Sequence, residues 1–130
     1  MHPYIWIAVG GALGSMARYW FTGVATRLFG ETFPWGTLLI NIFGSFVIGF
    51  FVALTNQETG RYLVDPNMRA FVTVGLCGGF TTFSAFSLQT LVLMQEGEWL
   101  HAGGYVLGSV ALCLLFVWLG YVLATQLSAL

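Results

Sequence analysis

Lysine is absent from this sequence, and charge of either sign is scarce: four arginines and five acidic residues among 130, or 7% of the chain. Soluble domains carry about a quarter charged residues, so this composition excludes one. The balance leaves no basic surface for nucleic acid and no acidic tail or charge run. Cysteine is limited to Cys77 and Cys113, each within an apolar stretch and at no C-x-x-C or other metal spacing. Both read as small hydrophobic residues. His2 and His101 stand singly, terminal or interfacial, at no ligand spacing. No nucleophile–base pair, metal cluster or phosphate loop points to an enzyme.

Apolar residues take up 58% of the chain instead, and the few charges mark where the apolar runs end. Charge-free stretches cover residues 32–57, 70–95 and 99–130, while the first stretch holds only Arg18 before Arg27. A helix needs about 20 apolar residues to cross the hydrocarbon. The expectation is an all-α membrane protein, a single domain over 1–130, with four spans at roughly 4–28, 36–55, 68–94 and 101–128. The N-terminal stretch does not read as a cleavable signal, because no cation precedes it and Gly10, Gly11, Gly14 and Arg18 interrupt it. With four spans, Arg61 and Arg69 fall on one side and Arg27 on the other. Arginine and lysine bias sets orientation, and two against one is almost none. Insertion in both orientations is therefore open, beside a single orientation fixed by a partner.

Gly10 and Gly14, Gly75 and Gly79, and Gly104 and Gly108 form small-xxx-small pairs, which let helices approach closely in lipid. Four helices make a thin bundle, so the working structure is expected to be an oligomer. Trp6, Trp20, Trp35, Trp99 and Tyr4 lie near span ends, where aromatic belts form.

The stretch "GGFTTFSAFS", Gly78–Ser87, departs from this pattern. Paired glycines weaken the helix, and Thr81, Thr82, Ser84 and Ser87 add hydroxyls at its middle. A break there is tolerated only against protein or a water-filled cavity, and transporters use such breaks to hold ions. The plainer alternative is a kinked helix whose hydroxyls bond back to their own turn. Phe83 and Phe86 share a helix face, with Phe80 one step of three before them. Ring edges are positive and can favour an anion without a full charge. Asn41 lies in the second span with Thr37 four residues earlier, and Ser109 follows Tyr105 by four in the last. No span contributes an acid. A cation or proton path usually carries Asp, Glu or His at depth, whereas amide and hydroxyl donors suit anions. Arg18 has three readings: a structural clamp on freed carbonyls, ranked first, a vestibule charge, or a side chain snorkelling to the interface.

"GLCGGFTTFSAFS" (Gly75–Ser87), "GTLLIN" (Gly36–Asn41) and "GGALGSMAR" (Gly10–Arg18) together resemble the Fluc (CrcB) fluoride channels, over nearly the whole chain. The resemblance implies a multi-pass protein of the bacterial inner membrane that lets fluoride leave the cytoplasm passively. It implies an antiparallel, dual-topology homodimer with two pores, the third helix broken at mid-membrane, and a structural Na⁺ at the dimer centre. Carried over, Gly78 and Thr81 would hold that Na⁺ through backbone carbonyls. Phe83, Phe86 and Asn41 would line the pore, with Thr82, Ser84, Ser109, Thr37 and Tyr105 as polar lining and Arg18 near the vestibule. Two positions depart from the family pattern: Gln89 stands where a glutamate is common, and "FSAF" replaces "FSTF", so Ala85 lacks a hydroxyl. Two rivals remain. A small dual-topology multidrug exporter needs a membrane-embedded carboxylate, and the first span has none. A structural subunit would use the same polar residues only to join helices.

Overall fold

The structure, a computed structural model, describes residues 2–130. Among them the fold is all helical, with no strand. Helix α1 spans Pro3–Phe29. Pro3 occupies the first helical position, where its missing N–H costs nothing, and the His2 ring accepts from the Tyr4 N–H at 3.3 Å. The helix ends at Gly30, whose φ of +83° few other residues tolerate. Helix α2 spans Trp35–Leu54 and starts after Pro34.

The third crossing is composite. Helix α3, Pro66–Ala70, is capped by Asp65, which accepts from the Met68 N–H at 2.9 Å. A π-helical segment, Phe71–Cys77, follows, then a single turn, α4 (Gly78–Phe80). After an extended step the chain resumes as α5, Phe83–Gln95. A turn through Gly97 leads into α6, Trp99–Ser128.

Three of these segments are long and apolar enough to cross a membrane: Trp35–Leu54, Pro66–Gln95 and Trp99–Ser128. Helix α1, with 27 residues, is long enough at about 1.5 Å per residue. Its glycines, Ser15, Arg18 and Arg27 leave it less apolar than the other three, so the structure carries three such spans where the sequence suggested four.

Glycine decides how the helices pair. A Cβ on Gly75 would lie 2.9 Å from the Gly10 Cα, and one on Gly79 would lie 2.7 Å from the Gly11 carbonyl oxygen. Helix α1 therefore rests backbone to backbone on the third crossing. Helix α2 lies along α6, where a side chain on Gly49 would strike the Val117 carbonyl and one on Gly120 the Phe46 carbonyl. Two of the three glycine pairs read from the sequence thus meet each other. Gly104 and Gly108 have nothing within 4 Å of an added Cβ among the described residues.

Two arginines tie the far end together. Arg69 donates to the Thr55 carbonyl at 3.2 Å and to its hydroxyl at 2.9 Å, and Arg61 donates to the Leu127 carbonyl at 2.9 Å. The last carbonyls of a helix lack helical donors and favour a cation. These contacts put the loop after α2 and the end of α6 on one side. The buried core is small, centred on Leu38, Phe86, Leu93, Ala102 and Tyr105. Large apolar side chains such as Trp20, Leu107 and Leu114 cover the outside instead, as lipid as solvent allows.

Candidate functional site

The break in the third crossing falls at Thr81 and Thr82, whose φ, ψ pairs are −84°, 159° and −154°, 115°. Gly78 is helical, at −65°, −36°. The glycines expected to break the helix are therefore part of it. Their role is to lack side chains: Gly79 sits against α1. What opens the helix is Asn41. Its Oδ1 accepts from the Thr82 N–H at 2.8 Å and its Nδ2 donates to the Thr82 carbonyl at 3.1 Å. The amide treats Thr82 as a neighbouring strand would, holding it extended.

Four further bonds complete the break. The Thr82 hydroxyl caps α5 by accepting from the Ala85 N–H at 3.1 Å. The Arg18 Nε donates to the Gly79 carbonyl at 3.0 Å, replacing the helical donor that Phe83 would have supplied. The Cys77 carbonyl takes both the Thr81 N–H, at 2.9 Å, and the Thr81 hydroxyl, at 2.8 Å. In an unbroken helix the Gly78 carbonyl would accept from the Thr82 N–H and the Thr81 carbonyl from the Ala85 N–H. Both donors are engaged elsewhere, so these two carbonyls are released from helical bonding.

The break faces an open cleft of about 390 Å³ between α2, the third crossing and α6. Asn41, Gly78, Thr81, Thr82, Phe83, Phe86 and Ser109 all line it. The Ser109 hydroxyl is buried with no hydrogen-bond partner among the described residues. The Phe83 and Phe86 rings lie 5.3 Å apart at 47°. Phe86 is buried and Phe83 is 77% exposed, so one ring is anchored and the other overhangs the cleft. Phe80 does not extend this row. It precedes the break and packs edge-on against Phe21 and Phe43, on the α1 side.

Other sequence-selected residues form a layer behind Phe86. Tyr105, fully buried, packs with its ring 4.9 Å from that of Phe86 at a tilt of 50° and donates to Gln89 Oε1 at 2.9 Å, with the Thr37 hydroxyl beside it. Thr37, Tyr105 and Gln89 do not line the cleft. Ser84 is exposed, its hydroxyl 3.2 Å from that of Thr82. Ser87 bonds back to the Phe83 carbonyl at 3.0 Å. For Thr81 and Ser87, then, the plainer reading of a hydroxyl turned on its own helix is what the structure has. Sequence reasoning passed over Ser45 and took Cys113 only as a small hydrophobic residue; both line the cleft. Each lies four residues beyond a polar residue already chosen, Asn41 and Ser109, so the helical repeat was the available signal.

The family profile described as "CrcB-like protein, Camphor Resistance (CrcB)" matches residues 5–121. Among similar proteins, one from Methylocella silvestris is 57% identical over 125 residues, covering 96% of this chain and 95% of its own. One from Opitutus terrae is 55% identical over 130 residues, covering 100% and 98%. One from Paramagnetospirillum magneticum is 55% identical over 125 residues, covering 96% and 97%. Each bears the name "Fluoride-specific ion channel FluC". A profile match over most of the chain, and relatives this similar end to end, show that the chain belongs to the CrcB-like family.

Proposed function

We propose that this chain is a passive, fluoride-selective channel that lets fluoride leave a bacterial cytoplasm across the inner membrane. The family and the names borne by its relatives support an ion channel rather than an enzyme. The observation that carries the proposal is the Asn41–Thr82 pair beside the unpartnered Ser109 hydroxyl. A primary amide has two N–H donors; one serves the Thr82 carbonyl, leaving the other for the cleft. Ser109 adds a hydroxyl, and Phe83 and Phe86 bring ring edges. Fluoride is small and strongly hydrated, so it needs fixed donors in place of its water. No acidic residue lines the cleft to oppose it.

The working unit we propose is an antiparallel homodimer with two pores and a Na⁺ at its centre. Its support is the pair of released carbonyls, Gly78 and Thr81, together with the exposure of Gly78 on the surface of a single chain. Oxygen donors of that kind fit a hard monovalent cation, and buried acceptors without donors are costly. The cation would supply the positive charge that offsets this cost. The near balance of arginines across the membrane suits insertion in both orientations.

Liposomes carrying the purified protein, with K⁺ and valinomycin to balance charge, test the proposal. Rapid fluoride loss without chloride loss is expected. Folded protein that releases neither ion would favour the structural-subunit reading, and proton-driven movement of a cationic drug by the same protein would favour the proton-coupled exporter.

A further inference from the structure

Helix α2 meets the break at two points. Asn41 is one; Gly44, three residues later and so on the same face, is the other. Gly44 is buried and lines the cleft together with Asn41, Thr81 and Thr82. A Cβ on Gly44 would strike the Thr81 methyl, while the Phe80 ring, at 3.5 Å, would be in ordinary contact. The Thr81 methyl therefore fills the place of a side chain on α2. It has little freedom to turn aside. Threonine carries its methyl and hydroxyl on one carbon, and the Thr81 hydroxyl donates to the Cys77 carbonyl at 2.8 Å. Rotating the side chain to clear a Cβ would take the hydroxyl off that carbonyl. The Thr81–Thr82 peptide is thus held from both ends: the Thr82 N–H by Asn41 at 2.8 Å, and the Thr81 side chain by Gly44 and Cys77. A trans peptide is planar, with its C=O opposite its N–H, so the released Thr81 carbonyl is aimed away from Asn41.

We infer that Gly44 is a positioning residue for the break: its missing side chain seats the Thr81 methyl on α2, and this seat fixes the Thr81–Thr82 peptide at the edge of the cleft. The seat is a matter of fold; its consequence for fluoride rests on the channel reading. Helix propensity alone predicts the opposite sign for Gly44→Ala, since alanine is the better helix former. Loss of order at the break in that variant is therefore informative.

The test compares the full-length parent, Gly44→Ala, Thr81→Ser and the double variant, by amide exchange in detergent and by fluoride flux in liposomes. Thr81→Ser removes the methyl and keeps the hydroxyl, leaving the residue 81 Cβ 3.7 Å from the added one. In Gly44→Ala the Thr82 N–H is expected to exchange at least about tenfold faster, with α6 amides at parent rates. Flux is expected to fall at least about tenfold. In the Thr81→Ser background the same change is expected to alter either reading by less than about twofold, because the two residues act through one contact. If Gly44→Ala does not fold, the double variant is expected to fold as Thr81→Ser does, and its failure to do so would overturn the seat. Unchanged Thr82 exchange, exchange raised equally in α6, or an effect as large in the Thr81→Ser background would also overturn it. Faster exchange with unaltered flux would overturn the consequence for fluoride. A parent without flux speaks against the channel reading alone, because exchange is read without it.

Discussion

Asn41 and Thr82, 41 residues apart in sequence, exchange two hydrogen bonds, 2.8 Å and 3.1 Å long, between one side-chain amide and one backbone unit. No other contact in the chain does so much to fix the break. It supplies both groups that Thr82 loses by leaving the helix, and by holding the Thr82 N–H it releases the Gly78 carbonyl.

Thr82 also caps the helix after the break through the Ala85 N–H. Thr82→Ala is expected to lose about 1 kcal/mol, the usual worth of such a cap, and Thr82→Ser to retain most of it. Thermal unfolding in detergent of the two variants beside the parent checks this. Equal losses for Ala and Ser would mean that the methyl matters more than the hydroxyl.

Arg18 is a clamp in this structure. Its guanidinium takes the Gly79 carbonyl at 3.0 Å, as the first-ranked of its three sequence readings had it. Arg18→Ala strands that carbonyl and is expected to cost about 1–3 kcal/mol, the penalty of an unpaired buried acceptor. Arg18→Gln, which keeps a donor without the charge, is expected to recover part. A vestibule charge would show the opposite pattern: stability unchanged, and flux lost equally in both variants.

The glycines divide into two classes. Gly75→Ala puts a methyl 2.9 Å from the Gly10 Cα, against backbone that cannot turn aside, and is expected to cost about 1–3 kcal/mol. Gly23→Ala, on the same α1 but with nothing within 4 Å, is expected to be neutral or slightly stabilising, since alanine is about 1 kcal/mol better in a helix. Melting temperatures of the pair decide it.

Much of this was legible in the sequence and part was not, for one physical reason. The positions of the charges outlined the helices, and Asn41, Thr82, Phe83, Phe86 and Ser109 stood out because each is a polar or aromatic exception in an apolar run. The break lies within the Gly78–Ser87 stretch that the sequence marked, but its cause does not lie in the glycines. Local propensity points to Gly78 and Gly79, the weakest helix formers present, but the break is set by a bond from another helix, which propensity does not contain. The same two glycines serve packing, a role visible only once α1 is in place. Ser45 was missed, and Cys113 taken for packing alone, because Ser and Cys are unremarkable in a membrane helix until a cleft opens beside them.

Phe83 and Phe86 offer a clean separation of folding from transport. Phe86 is buried against Tyr105, so Phe86→Ala is expected to lose about 3 kcal/mol or more of stability. Phe83 is 77% exposed. Phe83→Ala is expected to fold like the parent and still lose most of its fluoride flux. Thermal unfolding and liposome efflux on the same two preparations distinguish them.

The most direct test of the central claim is fluoride efflux from liposomes carrying Asn41→Ala, measured beside the parent with folding and assembly checked in the same preparation. The account predicts a variant that still folds and assembles but passes fluoride at least about tenfold more slowly, the equivalent of 1.4 kcal/mol lost by the ion. Unchanged efflux from an intact Asn41→Ala assembly would contradict it, because neither the helix break nor the cleft donor would then be needed for fluoride to cross.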